Sequence, residues 1–72
     1  MVILRARLTT QTYLHIDDEP RHRHEMILGM NLCKGTTIVP DRVFRRGRHI
    51  YVVFTVDGNR YEAFGPHLEH AR

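Results

Sequence analysis

Hydrophobic and polar residues alternate with a period of two along much of this chain, and that pattern predicts β structure. Val2, Leu4, Ala6 and Leu8 alternate with Ile3, Arg5 and Arg7, as in a strand with one buried face. Thr12 to Ile16 repeat the pattern around Tyr13. Thr9 to Gln11, between them, contain no Gly, Asn or Pro, so the connection fits a hairpin and one long bent strand equally well. The run Arg48 to Val56 is β-branched and aromatic, and Ile50 to Phe54 is apolar at every position. A strand that is apolar on both faces is covered on both, which predicts a central place in its sheet.

Turn residues punctuate the second half. Asp57-Gly58-Asn59 predicts a hairpin into Arg60 to Phe64. With Gly58-Asn59 as the central turn residues, Val56 faces Tyr61 and Phe54 faces Ala63, which keeps one face apolar. Upstream, a tight turn at Arg46-Gly47 sets Val43 opposite Ile50 and Phe44 opposite His49. The result is a three-stranded meander over residues 42–64. Pro40 suits the entry to its first strand, where a missing N–H costs little. Gly65-Pro66 opens a short final turn through Leu68.

Residues 20–33 break the period of two. Met26, Ile27, Met30 and Cys33 fall at helical spacing, Asp17-Asp18-Glu19-Pro20 suits a helix N-terminus, and Gly35 suits its stop. This favours a short helix at residues 20–33, although Gly29 weakens it. The alternative is a hairpin across Asp17 to Pro20, with His22, His24, Met26, Leu28 and Met30 on one strand face. The predicted fold is therefore α+β and mostly antiparallel: a small twisted sheet with one helix, of a size compatible with an SH3-like or OB-like barrel.

Length and composition bound the rest. At 72 residues the chain has room for a single small domain, 1–72, whose core is modest enough that a stabilising partner is plausible. The apolar fraction of 42% argues against wholesale disorder. Cys33 is the only cysteine, which rules out an intrachain disulfide framework and fits a reducing compartment, the cytoplasm. No apolar run approaches the roughly 20 residues that span a bilayer, so no membrane partner is expected.

Candidate chemistry is sparse. There is no serine, which excludes a serine nucleophile. Cys33 lies in the apolar stretch Asn31-Leu32-Cys33 and is expected to be a small buried hydrophobe. Gly29-x-x-x-x-Lys34-Gly35-Thr36 nearly matches a phosphate-binding loop, but Lys and Gly are exchanged, and a turn at Lys34-Gly35 accounts for it better. His22 and His24 share a face only on a strand, where they would be weak metal candidates. No motif implies a cofactor, and the chain is expected not to be an enzyme.

The strongest functional pattern is Asp41-Arg42-Val43-Phe44-Arg45-Arg46-Gly47-Arg48-His49. The net charge is +3, and ten of the eleven basic residues are arginine, whose planar fork suits phosphate and carboxylate. With Arg46-Gly47 as the turn, Arg45 and Arg48 face each other, a repulsion that a bound anion would relieve. These observations predict a non-enzymatic regulatory module that binds through Arg42, Arg45, Arg46, Arg48, His49 and Arg60. The partner is nucleic acid, or an acidic protein of a nucleic-acid machine. Asp57 and Glu62 mark the less attractive end. Tyr51 and Tyr61 are candidates for stacking. A protein-binding adaptor or inhibitor without nucleic-acid affinity, including a homodimer with Met26 and Met30 in its contact, is the alternative.

Overall fold

Asp57 and Gly58 both have positive φ, 50° and 83°, and this pair sets the register of the hairpin they close. A computed structural model describes residues 1–16 and 27–71 of the chain. Positive φ at both central positions is the type I′ turn, whose twist matches the flanking strands, and Asp-Gly is among its favoured sequences. The turn is therefore Asp57-Gly58 and not Gly58-Asn59. Val56 pairs with Asn59, Phe54 with Tyr61 and Val52 with Ala63, two residues from the expected register. The upstream hairpin shifts in the same way. Gly47, at φ 62°, takes the first central position of its turn, with Arg48 second, so Arg46 pairs with His49, Arg45 with Ile50 and Phe44 with Tyr51. Only the first position has positive φ, as in a type II′ turn, which needs Gly there. Arg45 and Arg48 consequently do not face each other.

These hairpins form most of a five-stranded antiparallel sheet in the order β3-β2-β7-β6-β5. Its strands are β2 (Thr10–Leu14), β3 (Leu28–Leu32), β5 (Pro40–Arg46), β6 (His49–Val56) and β7 (Asn59–Phe64). A three-stranded sheet in the order β4-β1-β8 combines β1 (Leu4–Ala6), β4 (Thr37–Ile38) and β8 (Leu68–His70), the last reached through a 3-10 turn at Gly65–His67. β1 and β2 lie in different sheets, so the segment between them is a corner where the chain changes sheet, and Leu8 on it is exposed. The smaller sheet packs on one face of the larger, burying Ala6, Leu32, Ile38, Val52, Phe54, Ala63 and Leu68 together.

The helix expected over 20–33 is not formed where the structure can be read. Leu28–Leu32 is strand β3, paired antiparallel with β2 through Thr10–Leu32 and Gln11–Asn31. Of the competing hairpin reading, the strand over Leu28–Leu32 and its antiparallel pairing are formed; its turn across Asp17 to Pro20 and His22, His24 and Met26 lie outside the described residues. Gly29 fits this strand for a steric reason. A Cβ there would stand 2.8 Å from both Thr12 Oγ1 and the Tyr61 ring, so the absent side chain is what lets Tyr61 lie against β3. The buried hydroxyls beside it are satisfied: Thr12 Oγ1 donates to Met30 O at 2.7 Å and Thr10 Oγ1 to Leu8 O at 2.9 Å.

Candidate functional site

The larger sheet has two faces of different chemistry. Alternation along β6 sends Ile50, Val52 and Phe54 toward the smaller sheet and His49, Tyr51, Val53 and Thr55 to the outer side. Pairing carries the same division across the neighbouring strands, so Arg42, Phe44, Arg46, Arg60, Glu62 and Phe64 share the outer face. The six residues expected to form one basic site are thereby divided. Arg42, Arg46, His49 and Arg60 belong to the outer face. Arg45 is on the inner side of β5 beside Val43, and Arg48 is in the turn. All except Arg46 are exposed.

Arg46 is held by the fold. Its Nη1 donates to Glu62 Oε2 at 2.7 Å and its Nη2 to Glu62 Oε1 at 3.3 Å, a two-pronged contact with a carboxylate that has no exposed surface. The guanidinium also lies across two rings, 5.0 Å from the Phe44 centroid and 5.1 Å from that of Tyr51. The hydrogen bond to Glu62 raises the Arg46 pKa above its usual value, more than partial burial lowers it. Glu62 is thus a buried partner of Arg46 and not an exposed acid at the far end of the hairpin, as the sequence pattern had suggested.

His15 joins the same carboxylate from β2's end. Its Nδ1 is 2.8 Å from Glu62 Oε1, and its Nε2 is 2.8 Å from Arg42 Nη2. A guanidinium can only donate, so Nε2 accepts and the geometry assigns the proton to Nδ1, which donates to Glu62. The chain Arg42–His15–Glu62–Arg46 therefore ties β5, the end of β2 and β7 together, running from exposed Arg42 to the buried carboxylate of Glu62. It leaves His15 Nε2 engaged by an arginine.

The outer face also carries a run of rings that begins at His15 and passes under the Arg46 guanidinium. His15 and Phe44 are 5.4 Å apart between centroids, Phe44 and Tyr51 5.6 Å at 23°, Tyr51 and Phe64 5.9 Å, and Phe64 and His67 4.9 Å at 84°. His49 meets Phe64 edge-on at 5.4 Å. Phe44, Tyr51 and Phe64 are each half-buried, so each keeps part of its ring in solvent. Beside them a cleft of about 270 Å³ is lined by Gln11, Tyr13, His49, Tyr51, Phe64 and His67. The Nδ1 of His67 is buried with no hydrogen-bond partner among the described residues. Tyr61, the other tyrosine considered for stacking, is on the inner face against Phe54 at 5.8 Å.

The rings Phe44 and Phe64, with His15 and His67, were not legible as a site in the sequence. Residues at alternate positions of three strands become neighbours only once the register is known, and both turns were placed one residue away from their true centres. Cys33 is exposed and not buried, because Leu32 takes the last inward position of β3 and the chain turns at once through Lys34-Gly35. Among the described residues no three His, Cys, Asp or Glu side chains gather as metal ligands, and no helix is long and apolar enough to cross a membrane. No protein-family model, curated protein or solved structure matches this chain.

Proposed function

We propose that this domain binds single-stranded nucleic acid on the outer face of its five-stranded sheet. The observation that carries the reading is the run of half-exposed rings at Phe44, Tyr51 and Phe64, bordered by a ring-lined cleft and by arginines. Stacking on aromatic side chains is worth roughly 1–3 kcal/mol per base and needs a base whose face is open, which a duplex does not offer. The cleft between Gln11, Tyr13 and Phe64 has room for one planar heterocycle. Arg42 and Arg60 on this face, with Arg48 in the hairpin turn and Arg45 just before it, supply positive charge along the path of a phosphate backbone.

The site differs from a simple basic hairpin in one consequential way. Arg46 serves Glu62 and the rings, so its removal disturbs the fold as well as any ligand, and test variants leave it in place. The decisive experiment is fluorescence anisotropy with labelled single-stranded DNA and RNA decamers and the matching duplexes, each at several salt concentrations. Single strands are expected to bind more tightly than duplex, with affinity falling as salt rises. Tyr51→Leu, which preserves an apolar side chain but removes the ring, is expected to weaken binding about tenfold. Arg45→Ala with Arg48→Ala should flatten the salt dependence by about one unit of slope per arginine. Absence of binding at low salt, or affinity indifferent to Tyr51→Leu, refutes the proposal.

A further inference from the structure

The opposite side of the β5–β6 hairpin presents different chemistry. Between the hairpin's inner face and the smaller sheet runs an open groove of about 570 Å³. Val2 and Leu4 of the N-terminal segment, Val43 and Ile50 of the hairpin and Phe64 and Pro66 beyond it line its apolar walls. Three of these apolar side chains are well exposed: Val43 at 59%, Val2 at 51% and Ile50 at 42%. Apolar surface gathered in one concave place is characteristic of a docking site, whereas isolated exposed apolar residues are ordinary.

Two further features specify the occupant. The polar side chains lining the groove are Arg48, His49 and His70, and no carboxylate lines it. In addition, the groove is flanked by end strands. β5 has β6 as its only bonded neighbour among the described strands, and β8 has only β1. An end strand presents unpaired backbone donors and acceptors, which an extended segment can satisfy by adding a strand, with alternate side chains entering adjacent pockets.

We infer that this groove binds an extended peptide segment of a partner protein, with apolar residues two apart seated on Val2, Val43 and Ile50 and acidic residues facing Arg48 and His70. The backbone hydrogen bonds come from the β5 edge, and the carboxylates supply the charge that the rim lacks. A second copy of this chain suits the groove poorly. A two-fold contact places the same patch of each subunit against its mate, so two rims that each carry Arg48, His49 and His70 and no carboxylate would meet. This inference rests on Val2, Val43 and Ile50, which the nucleic-acid reading does not use, while Arg48 at the turn and His49 and Phe64, which border both the groove and the outer cleft, are common to the two readings.

The test is selection of a phage-displayed library of random decapeptides on the full chain, followed by titration of the enriched peptides against variants. The enriched sequences are expected to share apolar residues two apart with neighbouring Asp or Glu. Their affinity should fall about tenfold or more in Val43→Glu, an exposed position where the change leaves the core untouched, and in Arg48→Glu at the turn. Tyr51→Leu on the outer face should leave peptide affinity unchanged, and Val43→Ser, which removes apolar surface without adding a charge beside Arg45, should weaken the peptide and leave nucleic-acid affinity unchanged. Failure of any peptide to enrich, enriched sequences without carboxylates, or affinity indifferent to both groove variants overturns the inference. So does sedimentation equilibrium showing a dimer that Val43→Glu dissociates, because the groove would then belong to a second copy.

Discussion

Glu62 sets the strongest constraint among single residues, because an ionised carboxylate removed from water must be met by donors that stay in place. Arg46 supplies two of them and His15 a third. Truncating one partner of a buried pair costs more than the pair contributes, since the remaining charge is left unmatched. Arg46→Ala is therefore expected to destabilise the domain by about 3 kcal/mol, the lower end of the range for such pairs because His15 remains. Arg46→Lys, which keeps the charge but loses the planar fork, should fall between it and the parent. Urea denaturation measures both; a loss well under 1 kcal/mol for Arg46→Ala would show that the pair is not structural. Cys33, exposed at the end of β3, is open to thiol reagents in the folded state. Its expected modification is one equivalent per chain without denaturant, and a thiol that reacts only after unfolding would contradict the placement.

At the scale of elements, the two hairpin turns decide which side chains meet. The type I′ turn at Asp57-Gly58 holds Gly58 at φ 83°, where a Cβ is strained although nothing crowds it in space. Gly58→Ala should cost about 1–2 kcal/mol by thermal or urea unfolding, and a neutral result would argue for a different turn and register. The same turns explain what could be read in advance. The β5–β6–β7 meander, the covered central strand and the entry at Pro40 follow from alternation and punctuation, which are local. The exact pairing does not, because Asp57-Gly58-Asn59 offers two adjacent two-residue turns, and choosing the wrong one moves every partner by two positions. Residues 27–33 were misjudged for a related reason. Met26, Ile27, Met30 and Cys33 fit a helical period by spacing alone, while the reason for Gly29, the Tyr61 ring lying against it, is a contact made across the sheet. The burial of Glu62 had a trace in the sequence. It pairs with Val53, inside the stretch that is apolar on both faces, so its neighbour across the strand had to be covered as well.

Across the whole molecule, one sheet separates three environments. Its inner face packs against the smaller sheet and forms the core around Phe54; the end of that face near the hairpin opens into the apolar groove; its outer face carries rings and arginines over a buried ion network. The arginines that looked like one cluster along residues 42–48 are divided among these environments by strand alternation. Arg46 supports structure, Arg42 holds His15, Arg45 stands on the inner side of β5, and Arg48 is in the turn. Because of this division, nucleic acid held on the outer face and nucleic acid held in the groove would touch different side chains. In a heteronuclear NMR titration of the isotopically labelled chain with a single-stranded decamer, shift changes are expected at the ring signals of Phe44, Tyr51 and Phe64 and at Gln11, with the methyl signals of Val2, Val43 and Ile50 unmoved. Shifts centred on those methyls, or none at any residue of the outer face, would contradict binding on the outer face.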